Sequence, residues 1–548
     1  MAIHRDMVVD IPEHAYLQRK GGKEYVYVYT QFFRRADGKP SNRSMAVGVL
    51  TDSDDWVMHP NDNYLRMRRV PVARKESSTL SVGFAAAVES AFAESGLGAA
   101  VAEGFGEEAC LAMRTCAAYM VREGAIMSYV DDFCEKTHFT DYDRVITSQR
   151  ASELFLSVTK DQERDFYRSW VPRAGGEGGY VCYDVTSVST WSSMIQEAEY
   201  GYNRDHERLP QVNLGLFYSE SKHRPVYLDM YNGSVNDYTQ VAQAVANARA
   251  AGLRGPFKLV TDGVFFQESK LPALVADGIT VTCGMPAYLK VSQAYIDARM
   301  DEVTRPENYV GHDSTFATMV EDQEIFGIPC RVLVGFCPEA MRLLNADLDA
   351  KLARYETEEI PEVKKYKTVI RKRRFTGLFD FEETEDGRYT FRRNEVKIAD
   401  ARRRFGYFTI FTTDREATAK EIVDAYREKD EDEKQFMDLK QFMGARRPRV
   451  HSQEALEGKY FVLLIALVLT KWLRERLGAY MSAHHLTLRR CLMKLSDVRM
   501  YVADDEVRLE KAITKEQREL LALCGVDAES LEERERASII ASRGGSGA

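Results

Sequence analysis

The α/β part of the chain begins at residues 180–190, YVCYDVTSVST. Apolar and β-branched residues dominate this stretch, which predicts a buried β-strand. Asp184 lies inside the predicted strand, between Tyr183 and Val185. A carboxylate within a core strand is costly to desolvate unless it binds a cation or accepts hydrogen bonds. Asp184 is therefore a candidate metal ligand, and the simpler alternative is a carboxylate that serves a turn or a cap.

Strands and helices follow in an order that is typical of a mixed sheet. Residues 211–219 and 224–234 predict two further strands in a meander, the second ending in an Asn-Gly turn. A helix at 237–252, an apolar strand at 257–266 (FKLVTDGVFF), a short helix and a strand at 279–286 then alternate. We therefore predict a mixed β-sheet covered by helices.

A second carboxylate, Asp262, stands at the C-terminal end of the apolar strand. This is the edge where α/β sheets usually bind ligands, although a turn or cap is again the simpler alternative. Together with a third acid, Asp184 and Asp262 would suit two divalent ions, because Mg²⁺ prefers carboxylates plus water and phosphate oxygens. Two such ions can activate the attacking oxygen and stabilise the leaving oxygen in phosphodiester displacement.

The third acid is predicted on a charged helix at residues 424–440, DAYREKDEDEKQFMDLK. Residues spaced three, four or seven apart share one helical face. Counted from Tyr426, that face holds Lys429, Glu433 and Lys440. Helical geometry thus selects Glu433 from its acidic neighbours. The alternative is a solvated charged face with an ordinary salt bridge between Lys429 and Glu433.

The segments before this α/β block differ in character. Residues 24–50 predict a β-hairpin, and residues 81–170 predict helices. Residues 145–171 are compatible with a helix-turn-helix, but two amphipathic helices joined by a polar turn are common in proteins that do not bind DNA. Residues 172–180, PRAGGEGGY, predict a loop and a domain boundary.

Composition and charge limit the class of protein. The 548 residues suggest two to four domains, and the 45% hydrophobic content predicts folded cores. Nine cysteines without a CxxC pair predict reduced thiols rather than a zinc site. The net charge of −9 disfavours a chain-wide nucleic-acid surface. Residues 364–374, however, hold seven basic residues and no acid, and residues 444–451 (GARRPRVH) form another basic cluster, so both segments could bind a phosphate backbone.

No membrane span or targeting segment is predicted. The apolar run at residues 460–469 is bracketed by Lys459 and Lys471, which favours a buried helix. Residues 1–16 contain no apolar signal core, so the expected location is the cytoplasm.

These motifs together resemble the bacterial insertion-sequence DDE transposases of the insertion-sequence-four superfamily. The spacing Tyr426-x2-Lys429-x3-Glu433-x6-Lys440 is similar to their Y-x2-R-x3-E-x6-K signature, with lysine in place of the arginine. The motifs YDVTS and VTDGVF, which contain Asp184 and Asp262, precede it in the order of the family. The resemblance extends over about residues 24–525.

The resemblance implies an α/β fold with an RNase H-like catalytic core, a mixed sheet with flanking helices that an insertion domain interrupts. A β-hairpin and a mainly helical DNA-binding region would precede this core. The implied division is 1–80, a β-rich region; 81–172, a helical region that binds the DNA end; 173–290, the first part of the core; 291–400, the insertion domain; 401–480, the second part of the core with the glutamate helix; and 481–548, a helical region with a flexible tail.

The same resemblance implies the chemistry and the site. Asp184, Asp262 and Glu433 would bind two Mg²⁺ ions, for which Mn²⁺ substitutes. Water would attack a phosphodiester at the transposon end, and the freed 3′-hydroxyl would attack the opposite strand or the target. The residues expected to contact DNA are Tyr426, Lys429 and Lys440, and in the insertion domain Lys364, Lys365, Lys367, Arg371, Lys372, Arg373 and Arg374.

The implied partners are double-stranded DNA with the terminal inverted repeats of the element, target DNA, and a second copy of the chain in a synaptic complex. The expected cell is bacterial or archaeal, with the protein at the nucleoid. Two alternatives stay open, namely a catalytically silent, domesticated descendant that only binds DNA, and a metal-dependent nuclease on the same fold.

Overall fold

A computed structural model describes most of the chain and divides it into two compact units. The described residues are 3–5, 7–34, 39–52, 56–68, 77–176, 179–203, 205, 207–235, 237–253, 258–311, 314–503 and 506–544, without the side chains of 52, 66, 237–239, 430–433 and 544. The first unit comprises Met1–Ser78 and Val502–Glu506, and the second comprises Thr79–Tyr501 and Val507–Ala548.

The first unit contains an antiparallel five-stranded sheet with the order β1-β5-β4-β3-β2. Its elements are β1 (Val9–Asp10), β2 (Tyr16–Lys20), β3 (Lys23–Arg34), β4 (Pro40–Asp52), β5 (Val57–Pro60) and α1 (Asp62–Met67). The antiparallel pairing of β3 with β4 confirms the hairpin predicted at residues 24–50. Val26, Val47 and Met58 are fully buried and form the centre of its small apolar core.

Helices dominate the chain from residue 79 to the first strand of the large sheet, as predicted. The elements are β6 (Ser78–Ser81), α2 (Gly83–Glu94), α3 (Leu97–Phe105), α4 (Glu107–Arg122), α5 (Val130–Lys136), α6 (Ser148–Leu156) and α7 (Lys160–Arg173). Thr147 and Thr159 accept hydrogen bonds from backbone N–H groups and cap α6 and α7. The two helices predicted at 145–171 are therefore confirmed. Phe166 and Trp170 of α7 are fully buried, so this helix packs its apolar face inside the unit.

A nine-stranded mixed sheet forms the centre of the second unit. The elements from its first strand onward are β7 (Tyr180–Ser189), β8 (Gln211–Ser219), β9 (Arg224–Asn232), α8 (Asp237–Ala251), β10 (Lys258–Thr261), α9 (Leu271–Ala276), β11 (Thr280–Met285), α10 (Lys290–Val303), β12 (Tyr309–Gly311), β13 (Thr315–Ile325) and β14 (Ile328–Phe336). With β17 (Tyr407–Thr412), these strands have the order β12-β13-β14-β17-β11-β10-β7-β8-β9.

The orientation of the strands confirms the predicted mixed sheet. Strands β7, β8 and β9 are antiparallel neighbours, whereas β10 is parallel to both β7 and β11. The strand predicted at 257–266 was too long, because it ends at Thr261. Asp262 accepts a hydrogen bond from the Gly263 N–H and caps a short 3₁₀ turn at Gly263–Phe265, which takes the chain out of the sheet.

The chain between β14 and β17 builds a small helical layer with its own apolar core. Its elements are α11 (Pro338–Arg354), a π-helical turn (Tyr355–Glu359), α12 (Tyr366–Arg371), α13 (Arg373–Thr376), β15 (Phe379–Glu383), β16 (Tyr389–Arg393) and α14 (Glu395–Arg403). Leu352, Ile360, Val369 and Phe375 are fully buried in this core.

Helices again dominate the C-terminal part. The elements are α15 (Ala419–Met437), a π-helical turn (Asp438–Phe442), α16 (Gln453–His484), α17 (Leu488–Ser496), β18 (Arg499–Ala503), β19 (Glu506–Leu509), α18 (Lys515–Leu523) and α19 (Ala528–Gly544). All residues of the apolar run 460–469 are buried within α16, which confirms the predicted buried helix. Within the part of the chain that the structure describes, no helix is both long and apolar enough to cross a membrane. All nine cysteines are free thiols, as predicted.

Candidate active site

The register of two parallel strands brings Asp184 and Asp262 next to each other. Tyr183 of β7 pairs with Thr261 of β10, and an aspartate follows each of these residues. Neighbouring strands lie about 4.8 Å apart, so the two aspartates start from adjacent backbone positions. Asp184 is only 6% exposed, whereas the Asp262 side chain is 46% exposed at the end of its strand. The pair therefore joins a buried carboxylate to a solvent-accessible one.

Helix α15 covers the face of the sheet on which Asp184 lies. The Cys182 thiol lies 3.8 Å from the Ala425 carbonyl oxygen of α15. Because strand side chains alternate, Asp184, two residues after Cys182, shares this face. Tyr426 packs over β11, where a Cβ at Gly284 would overlap the tyrosine hydroxyl oxygen in its present position.

Lys429 is a buried cation beside Asp262. Only 7% of the residue is exposed, and its Nζ lies 3.9 Å from Asp262 Oδ1. A buried lysine needs a nearby negative charge because water no longer solvates it. The structure therefore brings Tyr426 and Lys429 to the same side of the sheet as the two aspartates.

Cys283 lies under Asp262 and was not among the predicted site residues. Its thiol donates a weak hydrogen bond to the Asp262 carbonyl oxygen over 3.2 Å. Burial raises the pKa of the Cys283 thiol to about 12, and the charge of Asp262 acts in the same direction. The Cys283 side chain is therefore a neutral thiol at physiological pH.

The start of α15 is held by a buried carboxylate that the sequence analysis also missed. Asp414 accepts hydrogen bonds from the Tyr180 hydroxyl at 2.8 Å and from Lys258 Nζ at 2.7 Å. Burial alone would raise the Asp414 pKa, but the bonds from Lys258 and Tyr180 outweigh it and lower the pKa to about 2. Arg331 donates to the carbonyl oxygens of Asp414 and Ala417, so the entry to the helix is fixed on several sides.

The far end of the helix is held by Lys440. This residue lies in the π-helical turn, is 8% exposed, and its Nζ is 3.1 Å from Asp205 Oδ2. The backbone of Glu433 lies in α15, between Ala425 and Lys440 in the sequence. Its side chain is outside the described part of the structure. Among the side chains that are described, no three histidine, cysteine or acidic residues are grouped closely enough to hold a metal ion.

The basic residues predicted to bind DNA lie on α12 and α13 and the residues just before them. Lys364, Lys365, Lys367, Arg371, Arg373 and Arg374 are exposed, and Lys372 is half-buried. Their scaffold is the core of Val369 and Phe375, which is separate from the core beneath α15. Arg374 forms an ion pair with Glu359 at 2.6 Å. The structure thus presents this segment to solvent and does not join it to the two aspartates.

A pocket of about 550 Å³ opens beside Asp262. Its lining includes Gly284, Tyr288, Phe408 and Tyr426, and the Tyr288 side chain is almost fully exposed. Most of the lining residues are apolar or aromatic, and Asp262 is among them. Tyr288 carried no distinguishing signal in the sequence, because a lone tyrosine after a strand has many roles.

Comparison with known proteins identifies the family to which the chain belongs. Residues 176–469, more than half of the chain, match the family model described as "Transposase DDE domain". Among solved structures, one similar chain is in the cryo-EM structure of the piggyBac transposase synaptic complex with hairpin DNA. The TM-score is 0.32 and the sequence identity 9%, with 75% of this chain and 70% of that chain covered. No curated protein matches the sequence.

Proposed function

Because the chain belongs to the family of transposases with a DDE domain, we propose that it binds the terminal inverted repeats of an insertion sequence and cuts and joins DNA at these ends. Asp184, Asp262 and Glu433 are the proposed catalytic carboxylates. The observation that supports this most is the pairing of Tyr183 with Thr261, since it makes the two aspartates neighbours beneath the helix that carries Glu433.

The proposed core is RNase H-like. Support comes from five strands in the order β9-β8-β7-β10-β11, with antiparallel pairs on one side of β7 and parallel pairs on the other. Helices α8 and α9 form the connections into β10 and β11. Residues 291–400 are the proposed insertion domain, because they separate β11 from β17 and α15. Strands β12–β14 of this stretch extend the same sheet by the pairing of β14 with β17.

Transposases with a DDE domain use divalent metal ions, and we propose two Mg²⁺ ions held by Asp184, Asp262 and Glu433. The donors fit, because carboxylate oxygens are the ligands that Mg²⁺ prefers, and the register of β7 and β10 makes Asp184 and Asp262 neighbours. When bound, such ions polarise the phosphodiester and lower the barrier for its displacement.

The residues of α15 would orient the DNA. Lys429 supplies a fixed positive charge beside Asp262, and Tyr426 supplies a hydroxyl over β11. Lysine in place of the signature arginine keeps the charge but loses the planar two-pronged contact to phosphate. Assignment to the insertion-sequence-four superfamily rests on this signature. Residues 364–374 would bind the DNA backbone, and two copies of the chain would hold the paired ends.

A joining assay tests the proposal. The protein is incubated with Mg²⁺, a DNA carrying the terminal repeats of the element, and a target plasmid. The expected products are cut ends covalently joined to the target. Cleavage without joining would instead assign a nuclease, and a gel shift without cleavage would assign a silent DNA-binding protein.

A further inference from the structure

The connection between β7 and β8, residues 190–210, exposes four large side chains. Trp191, Met194, Tyr200 and Tyr202 are each about 70% exposed, at 73%, 69%, 72% and 73%. Exposed aromatic side chains grouped on one connection are characteristic of binding surfaces.

Hydrogen bonds tie described residues of this connection to one another and to the start of β8. Thr190 donates its N–H to the Pro210 carbonyl oxygen, and Glu199 exchanges two backbone hydrogen bonds with Gln211. Trp191 and Tyr200 therefore leave the backbone at neighbouring points. The Gln211 side chain donates to the Tyr202 carbonyl oxygen at 2.9 Å. The aromatic side chains thus project from a fixed support and lose little backbone freedom when they bind.

The basic segment at residues 444–451 lies directly against this connection. The Arg447 guanidinium stacks over Trp191, 4.9 Å from the ring centroid, and also forms a 2.7 Å ion pair with Glu207. Helix α16 also holds the segment, because Lys459 Nζ donates a hydrogen bond to the Pro448 carbonyl oxygen at 2.8 Å.

Three further arginines complete the surface. Arg208 lies on the connection, and Arg446 and Arg449 lie on the basic segment. All three are exposed, and none forms an ion pair with a residue that the structure describes. Exposed cations and exposed aromatic rings on these two adjoining segments match a nucleic-acid strand, whose phosphates need positive charge and whose unpaired bases offer flat faces for stacking.

We propose that Trp191, Tyr200 and Tyr202 stack on unpaired DNA bases while Arg208, Arg446 and Arg449 bind the adjoining phosphates. This inference rests on the proposed function, because the surface would bind the same DNA that the site at Asp184 would cleave. Trp191 follows Asp184 by seven residues, the first five of them in β7, so the surface lies about 20 Å from the carboxylates. That distance corresponds to about six nucleotides of DNA.

The test compares two DNA probes in the absence of divalent ions, so that no cleavage occurs. One probe is a duplex with about six unpaired thymines, and the other is the fully paired duplex. The wild-type chain is expected to prefer the unpaired probe. Trp191→Ala and Tyr202→Ala should each weaken binding of that probe about tenfold and leave the paired duplex unchanged.

Matched variants distinguish the effect of ring stacking on DNA affinity from the effects of arginine charge and of impaired folding. Trp191→Phe retains a ring and should restore most of the preference, whereas Trp56→Ala removes a half-exposed tryptophan of the first unit and should leave the affinity for both probes unchanged. Arg446→Ala together with Arg449→Ala should weaken both probes equally and reduce the salt dependence.

Equal affinity of the wild-type chain for both probes would overturn the inference, as would unchanged binding by the alanine variants. Loss of a dimer in sedimentation without a change in DNA binding would assign the surface to a second copy of the chain. Because the measurement involves no cleavage, its outcome is independent of the joining assay.

Discussion

Asp262 shows how one residue satisfies two requirements. Its carboxylate accepts the Gly263 N–H and ends β10, and the same carboxylate faces Lys429. Asp262 therefore does act as a cap, which was the simpler alternative in the sequence analysis. The cap is compatible with the proposed metal-binding role. An ionised carboxylate has several lone pairs, so one oxygen can serve the cap while the other stays available.

Lys429 gives the first prediction at the scale of single residues. Lys429→Met removes the buried charge beside Asp262 and should slow DNA cleavage about 100-fold, because charges that face a reacting phosphate act mainly in the transition state. Single-turnover cleavage and DNA affinity are measured separately, and affinity should change much less. Lys429→Arg is the control and should retain more activity than Lys429→Met. Equal cleavage by the wild type and Lys429→Met would show that the charge has no catalytic role.

Asp414 gives a prediction for the element α15. Asp414→Asn should destabilise the fold by about 2–4 kcal/mol, because it leaves Lys258 without its charged partner near the start of the helix. Denaturant unfolding at neutral pH measures the difference from the wild type.

The same pair predicts a pH dependence with a defined sign. The folded Asp414 pKa is about 2, below its ordinary value of 3.8, so its contribution is fully present above about pH 5. The contribution falls as the pH drops toward 2, and roughly half is lost by pH 3. The gap between wild type and Asp414→Asn should therefore narrow between pH 5 and pH 3. A constant gap would mean that the charge of Asp414 is not the cause.

Helix α16 offers a comparison between two glycines. A Cβ at Gly458 would overlap the Phe155 carbonyl oxygen of α6, whereas a Cβ at Gly478 would meet no atom within 4 Å. Gly458→Ala should therefore lower the melting temperature by separating α6 from α16. Gly478→Ala should stabilise the chain by about 0.5–1 kcal/mol, the usual gain of alanine over glycine in a helix. Thermal unfolding of both variants checks this, and a stable Gly458→Ala variant would contradict the close packing.

At the scale of the whole molecule, charge distribution matters more than net charge. The chain carries −9 overall, yet Lys364, Lys365 and Lys367 are exposed on one surface. Replacing all three with alanine should weaken DNA binding and reduce the salt slope, log K against log salt, by up to about 2.7. The control replaces Lys136 and Lys351, which each form an ion pair with an aspartate one helical turn earlier. An unchanged slope in the triple variant would exclude this surface from DNA binding.

The sequence predicted the elements of the second unit well where a local pattern specifies them. Strands β7, β8 and β11 have the expected bounds to within one residue at each end, and the apolar run 460–469 lies buried inside the longer helix α16, because periodicity and apolar runs are local signals. The end of β10 was predicted too late in the sequence, because Asp262 caps a 3₁₀ turn instead of continuing the strand pairing. The register between β7 and β10 was not predictable, since it depends on pairing across about 80 residues.

The same reasoning explains which of the residues around the two aspartates were predicted. The shared face of Tyr426 and Lys429 was predicted from helical spacing, which is a local pattern, whereas Lys440 lies beyond the end of α15, beside Asp205. Asp414 and Cys283 were missed because their partners, among them Lys258 and Asp262, come from other segments of the chain. Only packing of the sheet brings these groups together, and no spacing in the sequence records it.

Strand cleavage by four variants tests the central claim most directly. With Mg²⁺ and DNA carrying the terminal repeats, Asp184→Asn, Asp262→Asn and Glu433→Gln should bind DNA normally and cut at least about 1,000-fold more slowly than the wild type. Glu431→Gln is the matched control, because a residue two positions away lies almost on the opposite side of an α-helix, and it should cut at nearly the wild-type rate. Cleavage at the wild-type rate by any of the first three variants would contradict the proposed catalytic site.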